Sequence, residues 1–462
     1  MLHVDYGLEP AHLLGGIERL WALSAAKIRS LERTRDPESG APVFTVAGVY
    51  TSRGWTEWTE GFLFGSAILQ FDATGERGFL DLGRKGTVER MANHVTHAGV
   101  HDHGFNNSST YGNLLRLMGE GRIEDDPWQR RFYELALRAS GATQARRWTR
   151  AREGLGYIYS FNGPHSLFVD TIRSLRALAC AHGLGQVLAG EGDTRVSLLE
   201  RLVLHARTTA RYSVYYGEGR DIYDVRGRVA HESIFNASDG SYRCPGTQQG
   251  YSPFSTWTRG LAWAICGFAE QLEFLDALAS GELDPYGGRA EVEGFMLRAA
   301  RATSDFYLDS VPPDGIPYWD TAAPGLAADP AALERPADPY TAREPVDSSA
   351  AAIAAQGLLR LGRHLERGGD TDSGRRYWQA GLTIVRTLLA EPYLSTDERH
   401  QGLLLHSVYH RPNGWDHVPA GRAVPCGESS MWGDYHLREV ALYVERVARG
   451  APYLSFAPGV EE

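Results

Sequence analysis

Residues 347–390 read DSSAAAIAAQGLLRLGRHLERGGDTDSGRRYWQAGLTIVRTLLA, and this stretch decides the fold class. Apolar residues recur every three or four positions in two runs, 347–366 and 371–390, which is the spacing of one buried face of an α-helix. A Gly-Gly pair separates the runs, at a position where a helix typically ends. The stretch therefore predicts two consecutive helices joined by a short turn.

The same apolar spacing recurs along most of the chain. Helices are predicted near residues 11–32, 57–71, 75–98, 106–119, 125–150, 166–182, 191–213, 255–277, 288–309, 347–366, 371–390 and 428–448. No acidic, basic or Pro-rich linker separates these twelve segments. We therefore expect a single domain over residues 1–462.

Two architectures accommodate twelve helices. An open α-solenoid would show a motif that repeats about every 20–50 residues, and no such motif is visible. Long loops at 214–254, 311–346 and 391–427 carry Trp, His and Asp, which favours a closed barrel whose loops converge on one mouth. The prediction is an all-α (α/α)6 barrel, with a small β-hairpin insertion where residues 212–235 mix aromatic and β-branched residues with glycines.

Composition excludes several classes of protein. The net charge of the 462 residues is −10, which argues against a nucleic-acid or membrane-surface binder, because both need a basic face. The start, MLHVDYGLEPAHLL, lacks a signal-peptide pattern, and no apolar run approaches the roughly 20 residues that span a bilayer. We therefore expect a cytoplasmic protein. The four cysteines form no C-x-x-C pair, so neither a disulfide framework nor a structural zinc site is expected.

An aromatic motif lies at residues 55–66, WTEWTEGFLFGS. Trp58 precedes a predicted helix in which Gly61 and Gly65 permit close approach of a neighbouring chain segment. Tryptophans in such a pair usually pack on a neighbouring helix, so this motif alone does not establish a binding site.

A histidine-rich motif, HVTHAGVHDHGFNNSSTYG, occupies residues 94–112. It places four histidines around Asp102, and their spacing raises the question of a metal site. Zinc signatures such as H-E-x-x-H are absent, so we predict that no metal is bound. Asp102 is either a turn-forming residue before Gly104 or a carboxylate at the head of the next helix.

A single acid follows an apolar turn at residues 162–185. Asp170 comes directly after Leu167-Phe168-Val169, and burial among apolar side chains would raise its pKa and suit a general acid. The alternative is a solvent-facing Asp170 paired with Arg173 at i, i+3, which would be worth only about a few tenths of a kcal/mol. The spacing does not choose between these two interpretations.

The most specific motif extends over residues 231–272. Arg259 and Trp263 are four residues apart and share one helical face. A guanidinium can bind a sugar carboxylate bidentately and an indole can stack on the sugar ring. The alternative is an aromatic core helix whose Arg259 extends to water.

At these residues the sequence resembles the unsaturated glucuronyl hydrolases, glycoside hydrolase family 88, which are (α/α)6 barrels. The run Gln249-Gly250-Tyr251-Ser252, followed by Ser255-Thr256-Trp257-Thr258-Arg259-Gly260 and Ala262-Trp263-Ala264, looks like the central motif of that family. Further similar motifs, in family order, are His101-Asp102, the helix with Asp170, Pro317-Tyr318-Trp319-Asp320, Asp347-Ser348-Ser349-Ala350-Ala351 and Trp432-Gly433-Asp434-Tyr435.

The resemblance implies a hydrolase of Δ4,5-unsaturated uronyl oligosaccharides that are produced by polysaccharide lyases. The implied reaction protonates C4 of the C4=C5 double bond and adds water at C5. Asp170 is implied as the proton donor and later base, and Asp102 as the second essential carboxylate. The residues implied to bind the substrate are Trp58, His101, His231, Gln249, Arg259 and Trp263. Neither an organic cofactor nor a metal is implied.

Some residues depart from the family pattern. His103 and Asn106-Asn107 stand where members usually carry aliphatic or apolar residues, and residues 406–430 contain no lysine. A preference for sulfated fragments is therefore not carried over. Two alternatives stay open: an unsaturated galacturonyl-rhamnose hydrolase like those of family 105, and a non-catalytic glycan-binding barrel. The parent polysaccharide and the oligomeric state are not predicted.

Overall fold

The computed structural model describes residues 1–456, and within them the α-helices dominate. Their bounds are α1 Leu14–Thr34, α2 Glu60–Thr74, α3 Arg77–Arg90, α4 Ala92–Thr96, α5 His103–Asn107, α6 Asn113–Gly119, α7 Pro127–Arg146, α8 Thr171–Ser174, α9 Arg176–Gly183, α10 Leu198–Tyr212, α11 Thr258–Asp276, α12 Arg289–Ser310, α13 Pro324–Ala327, α14 Ser348–Arg367, α15 Thr371–Leu388 and α16 Met431–Ala448. A π-helical turn, Ser108–Gly112, joins α5 to α6.

Six helices pack side by side in a closed inner ring. In order around the ring, α2 packs on α5, α5 on α8, α8 on α11, α11 on α14, α14 on α16, and α16 again on α2. Helices α1, α3, α7, α10, α12 and α15 pack outside this ring. Helix α11 is buried along almost its whole length, which is typical of a helix surrounded by others. The predicted all-α (α/α)6 barrel is confirmed.

The loops at the two ends of the barrel differ in length. Connections from an inner to an outer helix are short, such as 75–76 after α2 and 368–370 after α14. Connections from an outer to an inner helix are long, such as 213–257 before α11 and 389–430 before α16. The long loops therefore all lie where the inner helices begin, as the sequence predicts.

Small antiparallel sheets decorate the long loops. The strands are β1 Ala41–Val46, β2 Val49–Arg53, β3 Trp148–Arg150, β4 Gly156–Ile158, β5 Ser166–Phe168, β6 Val187–Ala189, β7 Arg195–Ser197, β8 Glu232–Phe235 and β9 Tyr242–Gly246. Strand β8 pairs with both β5 and β9, whereas β1–β2, β3–β4 and β6–β7 are hairpins. The sheet of β5 and β8 sets residue 170 beside residue 231, since the N–H of Val169 donates to the carbonyl of His231 at 2.9 Å.

Several predicted boundaries are wrong at these sheets. The segment predicted as one helix over 166–182 starts as strand β5 and is then interrupted between α8 and α9. The helix predicted over 191–213 begins only at Leu198, where the Ser197 hydroxyl caps it by accepting from the N–H of Glu200. Within the hairpin region predicted over 212–235, Val214 and Val229 form an antiparallel bridge, and strand β8 pairs further along the chain with β9 at 242–246.

The centre of the ring is tied together by buried ion pairs. Glu270 on α11 contacts Arg173 at 2.8 Å and Arg176 at 3.4 Å, and Glu439 on α16 contacts the same two arginines at 3.0 and 3.2 Å. Arg360 on α14 joins the cluster at 3.9 Å from Glu270. Each charge is thus balanced by partners on other helices, as burial of a charge requires.

Replacing one acid of this cluster is expected to destabilise the barrel strongly. Glu270→Gln keeps the volume but removes the countercharge shared by three buried arginines, which should lower the free energy of unfolding by about 3–5 kcal/mol. Urea denaturation would measure this, with the surface variant Glu334→Gln as the control. A loss below about 1 kcal/mol would show that the cluster does not hold the ring together.

No helix within residues 1–456 is both long and apolar enough to cross a membrane.

Candidate active site

A cavity of about 350 Å³ opens at the end of the barrel where the inner helices begin. This volume is within the usual range for small-molecule sites. Its lining includes Thr56, Glu57, Trp58, Val100, His101, Asp102, Phe105, Phe161, Phe168, Asp170, Gln248, Gln249, Trp257, Arg259, Trp263, Tyr409, His410, Asn413 and Trp415. Every predicted site residue except His231 lines this cavity.

The fold explains why distant residues meet here. Trp58 precedes α2, Asp102 precedes α5, Asp170 precedes α8, and Arg259 lies in the first turn of α11. Because these helices are neighbours in the inner ring and start at the same end, their first residues converge. The positive ends of the helix dipoles also face this region, which favours an anionic ligand.

Close packing of α2 on α5 depends on glycine. A side chain at Gly61 would meet the backbone of Asn106 at 2.3 Å, and one at Gly65 would meet the carbonyl of Ser109 at 2.6 Å. The close approach predicted from these glycines is confirmed. It brings Trp58 and Asp102 into the same cavity.

Asp170 pairs with His101 at the cavity floor. The Nε2 of His101 lies 3.5 Å from Oδ2 of Asp170, whose side chain keeps 13% exposure and so stays reachable from the cavity. Burial by itself would raise the pKa of Asp170, but the charge of His101 and its hydrogen bond outweigh burial and lower that pKa. Burial by itself lowers the pKa of His101. Attraction to Asp170 and Asp102 raises that pKa by more, so the net shift is upward.

Two expectations about Asp170 drawn from the sequence are therefore corrected, whereas its role as a general acid stays a prediction. The expected rise in its pKa does not occur in the free protein, because a histidine distant in sequence faces the carboxylate. The expected Arg173 pair does not form either, since that guanidinium turns into the barrel toward Glu270 and Glu439.

Asp102 is the floor carboxyl whose pKa is raised. Burial is the main cause, attraction to His101 opposes it, and repulsion from Asp170 adds to it. Its Oδ1 has no hydrogen-bond partner among the described residues. The floor therefore holds two carboxyl groups whose pKa values shift in opposite directions, downward for Asp170 beside His101 and upward for Asp102.

Arg259 is more tightly held than the sequence suggests. One terminal nitrogen donates to Asp347 at 3.1 Å and the carbonyl of Val408 at 2.5 Å, and the other donates to Gln249 at 2.7 Å and the carbonyl of Tyr409 at 2.9 Å. The expected extension to water is excluded by burial, since its exposure is 1%. The expected free bidentate fork is not present either, because these acceptors already occupy it. Arg259 instead orients Gln249.

Aromatic rings form the walls of the cavity. Trp58 stacks on Trp432 with centroids 5.1 Å apart and contacts Phe105 and Trp263 edge-on or tilted. One face of Trp58 is thus covered by protein. An indole wall of this kind suits the apolar face of a sugar ring.

His231 lies behind the wall. Its ring packs between Phe168 and Trp257, and its Nδ1 accepts the N–H of Gln248 at 3.1 Å. Burial lowers the pKa of His231 to about 4. The position suits a residue that orients the segment of Gln248 and Gln249.

Several lining residues were not predicted from the sequence. Glu57 adjoins Trp58 but has no distinguishing pattern, and Phe161 lies in a short turn before β5. Tyr409, His410, Asn413 and Trp415 belong to the long loop before α16, which the sequence marks only as a loop that carries function.

The residues that depart from the family pattern fasten α5 to its neighbours. The Nδ1 of His103 lies 3.2 Å from Nδ1 of His94. The Nε2 of His103 lies 2.6 Å from Nδ1 of His97. Asn106 accepts the N–H of Gly61 at 2.7 Å, and Asn107 donates to Ser140 at 2.8 Å. These imidazoles bond to each other, and no group of His, Cys, Asp or Glu in residues 1–456 is arranged to hold a metal ion.

His103 predicts a measurable pH dependence of stability. Burial, with repulsion from the other histidines, lowers its pKa to about 2, whereas an unfolded histidine titrates near about 6.5. The unfolded state therefore binds one more proton, and stability should fall as pH drops below about 6.5 by about 1.4 kcal/mol per unit from this site. In His103→Gln the slope of unfolding free energy against pH, measured by urea denaturation between pH 6 and 4.5, should be shallower by that amount. Parallel curves would contradict the prediction.

Comparison with known proteins finds relatives along most of the chain. No protein-family model matches it. It is 28% identical over 410 residues to an unsaturated glucuronyl hydrolase of Bacillus sp. (strain GL1), covering 86% of this chain and 89% of the relative. It is 25% identical over 388 residues to an unsaturated glucuronyl hydrolase of Formosa agariphila, covering 83% and 78%.

A solved structure shows the same fold. The crystal structure of the unsaturated glucuronyl hydrolase from Bacillus sp. GL1 matches with a TM-score of 0.67 and 24% identity, covering 93% of this chain and 96% of that one. The resemblance to unsaturated glucuronyl hydrolases predicted from the motifs is confirmed.

Proposed function

We propose that the protein is a glycoside hydrolase that acts on Δ4,5-unsaturated uronyl oligosaccharides, with residues 1–462 as one catalytic domain. The names of the relatives support this activity. The observation that carries it is the cavity floor, where Asp170 with His101 and Asp102 lie at the start of neighbouring inner helices. A pair of carboxyl groups with opposite pKa shifts is a recognisable arrangement for acid and base work.

The chemistry needs one proton donor and one activated water. A proton bonds to C4 of the C4=C5 double bond, and the hydroxyl of water bonds to C5, while the second proton of that water returns to the donor. The resulting hemiketal at C5 opens to a ketone. The aglycone then leaves from C1, so that a keto acid and a free sugar are released.

Asp170 is assigned as donor and later base, and His101 supplies its proton. In the free protein the pKa of His101 is raised and that of Asp170 is lowered, so the proton that the two residues share lies mainly on His101. The carboxylate of the substrate brings a negative charge to the floor, and a nearby like charge raises the pKa of a carboxyl group. Binding thereby moves the shared proton toward Asp170. Asp102, which lines the same cavity, is assigned to contact the substrate as the second carboxyl group.

The remaining predicted residues bind the sugar. Trp58 and Trp263 supply apolar walls, and Gln249 presents its amide while Arg259 holds it in place. His231 keeps the Gln249 segment in position from behind.

A cytoplasmic location is also proposed. It is supported by the four cysteines, which are free thiols in the structure, as in a reducing compartment.

Asp170→Asn is the first test of these roles. The amide keeps size and polarity but cannot supply a proton, so kcat should fall by about 10²–10⁴-fold with thermal stability nearly retained. Loss of the ultraviolet band of the unsaturated uronate would be followed with disaccharides from several polysaccharide lyases. Asp309→Asn on the outer helix α12 is the matched control.

The same experiment separates the alternatives. A fall in kcat of less than about tenfold in Asp170→Asn would refute the assignment of Asp170 as proton donor. If only Asp102→Asn showed a large fall in kcat, Asp102 would be the donor and Asp170 the second carboxyl group. A substrate whose second sugar is rhamnose, consumed in preference to all others, would favour the family 105-like activity. A band that persists with every disaccharide would favour a non-catalytic glycan binder.

Arg259→Lys should impair both binding and stability. An ammonium cannot satisfy Asp347, Gln249 and two carbonyls in the same plane, so Gln249 loses its orientation and KM should rise at least about fivefold. A buried charge-assisted bond is worth about 1.5–3 kcal/mol, and the free energy of unfolding should fall by that amount. An unchanged KM would show that Arg259 does not act on the substrate through Gln249.

A further inference from the structure

One carboxyl group in the cavity has no partner and no role in the proposed reaction. Glu57 lines the cavity next to Trp58 and is half-buried. Its backbone N–H bonds to the carbonyl of Gly54, but among the described residues its carboxylate accepts no hydrogen bond and makes no ion pair. A desolvated acid with free lone pairs in a binding cavity is a candidate for contact with the ligand.

Glu57 lies above the floor rather than on it. The floor residues His101, Phe105 and Trp263 are almost fully buried, whereas Trp415 and Phe161 at the mouth are 43% and 53% exposed. Glu57 has an exposure between these two groups. A substrate whose unsaturated uronate occupies the floor extends its second sugar toward the mouth, the direction in which exposure rises past Glu57.

Carboxyl groups outnumber guanidinium groups in the lining of the cavity. Three carboxyl groups line it, Glu57, Asp102 and Asp170, and Arg259 is the one guanidinium among the described lining residues. Its terminal N–H groups are already engaged. Arg53 is near but does not line the cavity, because its guanidinium stacks on the rings of Trp415 and Tyr409 at 4.3 and 5.3 Å.

We propose that Glu57 faces the second sugar and selects against a sulfate or carboxylate on it, so that the substrates are unsaturated disaccharides whose leaving sugar is uncharged. This inference rests on the proposed function and specifies the substrate class of the same site. A like charge brought next to Glu57 meets repulsion in a partly desolvated cavity, whereas hydroxyl groups find a free acceptor.

Selection by Glu57 should depend on pH. Burial and the neighbouring Asp102 raise the pKa of Glu57 to about 7, while Arg53 opposes the rise. The carboxyl is therefore mostly neutral at pH 6 and mostly ionised at pH 8. The titratable and charged groups that face it are Asp102 before α5, Arg53 on β2, Arg259 on α11, and Tyr409 and His410 in the loop before α16.

The neighbours do not reproduce this change between pH 6 and 8. Burial lowers the pKa of His410 to about 4 and raises that of Tyr409, so both stay neutral. Arginines keep their charge throughout. Asp102, Asp170 and His101 are assigned to the uronate ring that all the disaccharides share, so their titration cancels when two substrates are compared.

The test compares kcat/KM for an unsaturated disaccharide with an unsulfated leaving sugar and for its sulfated counterpart. In the unmodified protein the ratio of unsulfated to sulfated should be about tenfold or more at pH 8 and should shrink toward pH 6. In Glu57→Gln the ratio should fall at least about fivefold at pH 8 and become independent of pH. Glu57→Asp, which restores the charge, should restore the pH dependence, and Glu334→Gln on the surface should behave like the unmodified protein.

Each outcome decides the matter. Equal kcat/KM values for the two substrates in the unmodified protein, or the same pH-dependent ratio in Glu57→Gln, would overturn the role of Glu57 and leave the proposed function intact. If the ultraviolet band persists with every disaccharide tested, the proposed function is overturned, and this inference with it.

Discussion

The barrel depends on the buried ion cluster of Arg173, Arg176, Glu270 and Glu439 at its centre. Two arginines from α8 and α9 meet acids from α11 and α16, and Arg360 extends the cluster to α14. A buried charge without a partner is very costly, so these helices can come together only in the registers that pair every charge. Apolar packing alone would tolerate sliding of one helix along another far better.

The same cluster determines the chemistry of the site. Arg173 is three residues beyond Asp170, and a helix turn could bring the two side chains together. Because Arg173 is committed to the interior, the carboxylate of Asp170 is left for His101. Partner choice in the core thus sets which of the two floor carboxyl groups has its pKa lowered.

The sequence predicts the architecture well and the electrostatics poorly. Apolar spacing is a local property, so all twelve helical segments contain helix in the structure, and the short motifs place Trp58, Asp102, Asp170, Gln249, Arg259 and Trp263 in one cavity. The direction of the pKa shift of Asp170 depends on His101, which lies on another segment. The partners of Arg259 include carbonyls of residues 408 and 409, and nothing in the local sequence marks them. Strand pairs such as β1 with β2 are missed because their residues form part of long loops without helical periodicity.

The unequal loop lengths at the two ends of the barrel have a consequence for how such proteins diversify. The long connections carry the mouth of the cavity, whereas the ion cluster lies on helices further inside. Insertions and exchanges in the segments 213–257 and 389–430 can therefore accumulate without touching the pairs that keep the ring closed. The scaffold and the recognition surface can therefore evolve separately. Two related proteins could keep the same buried ion pairs and bind different ligands through different loops.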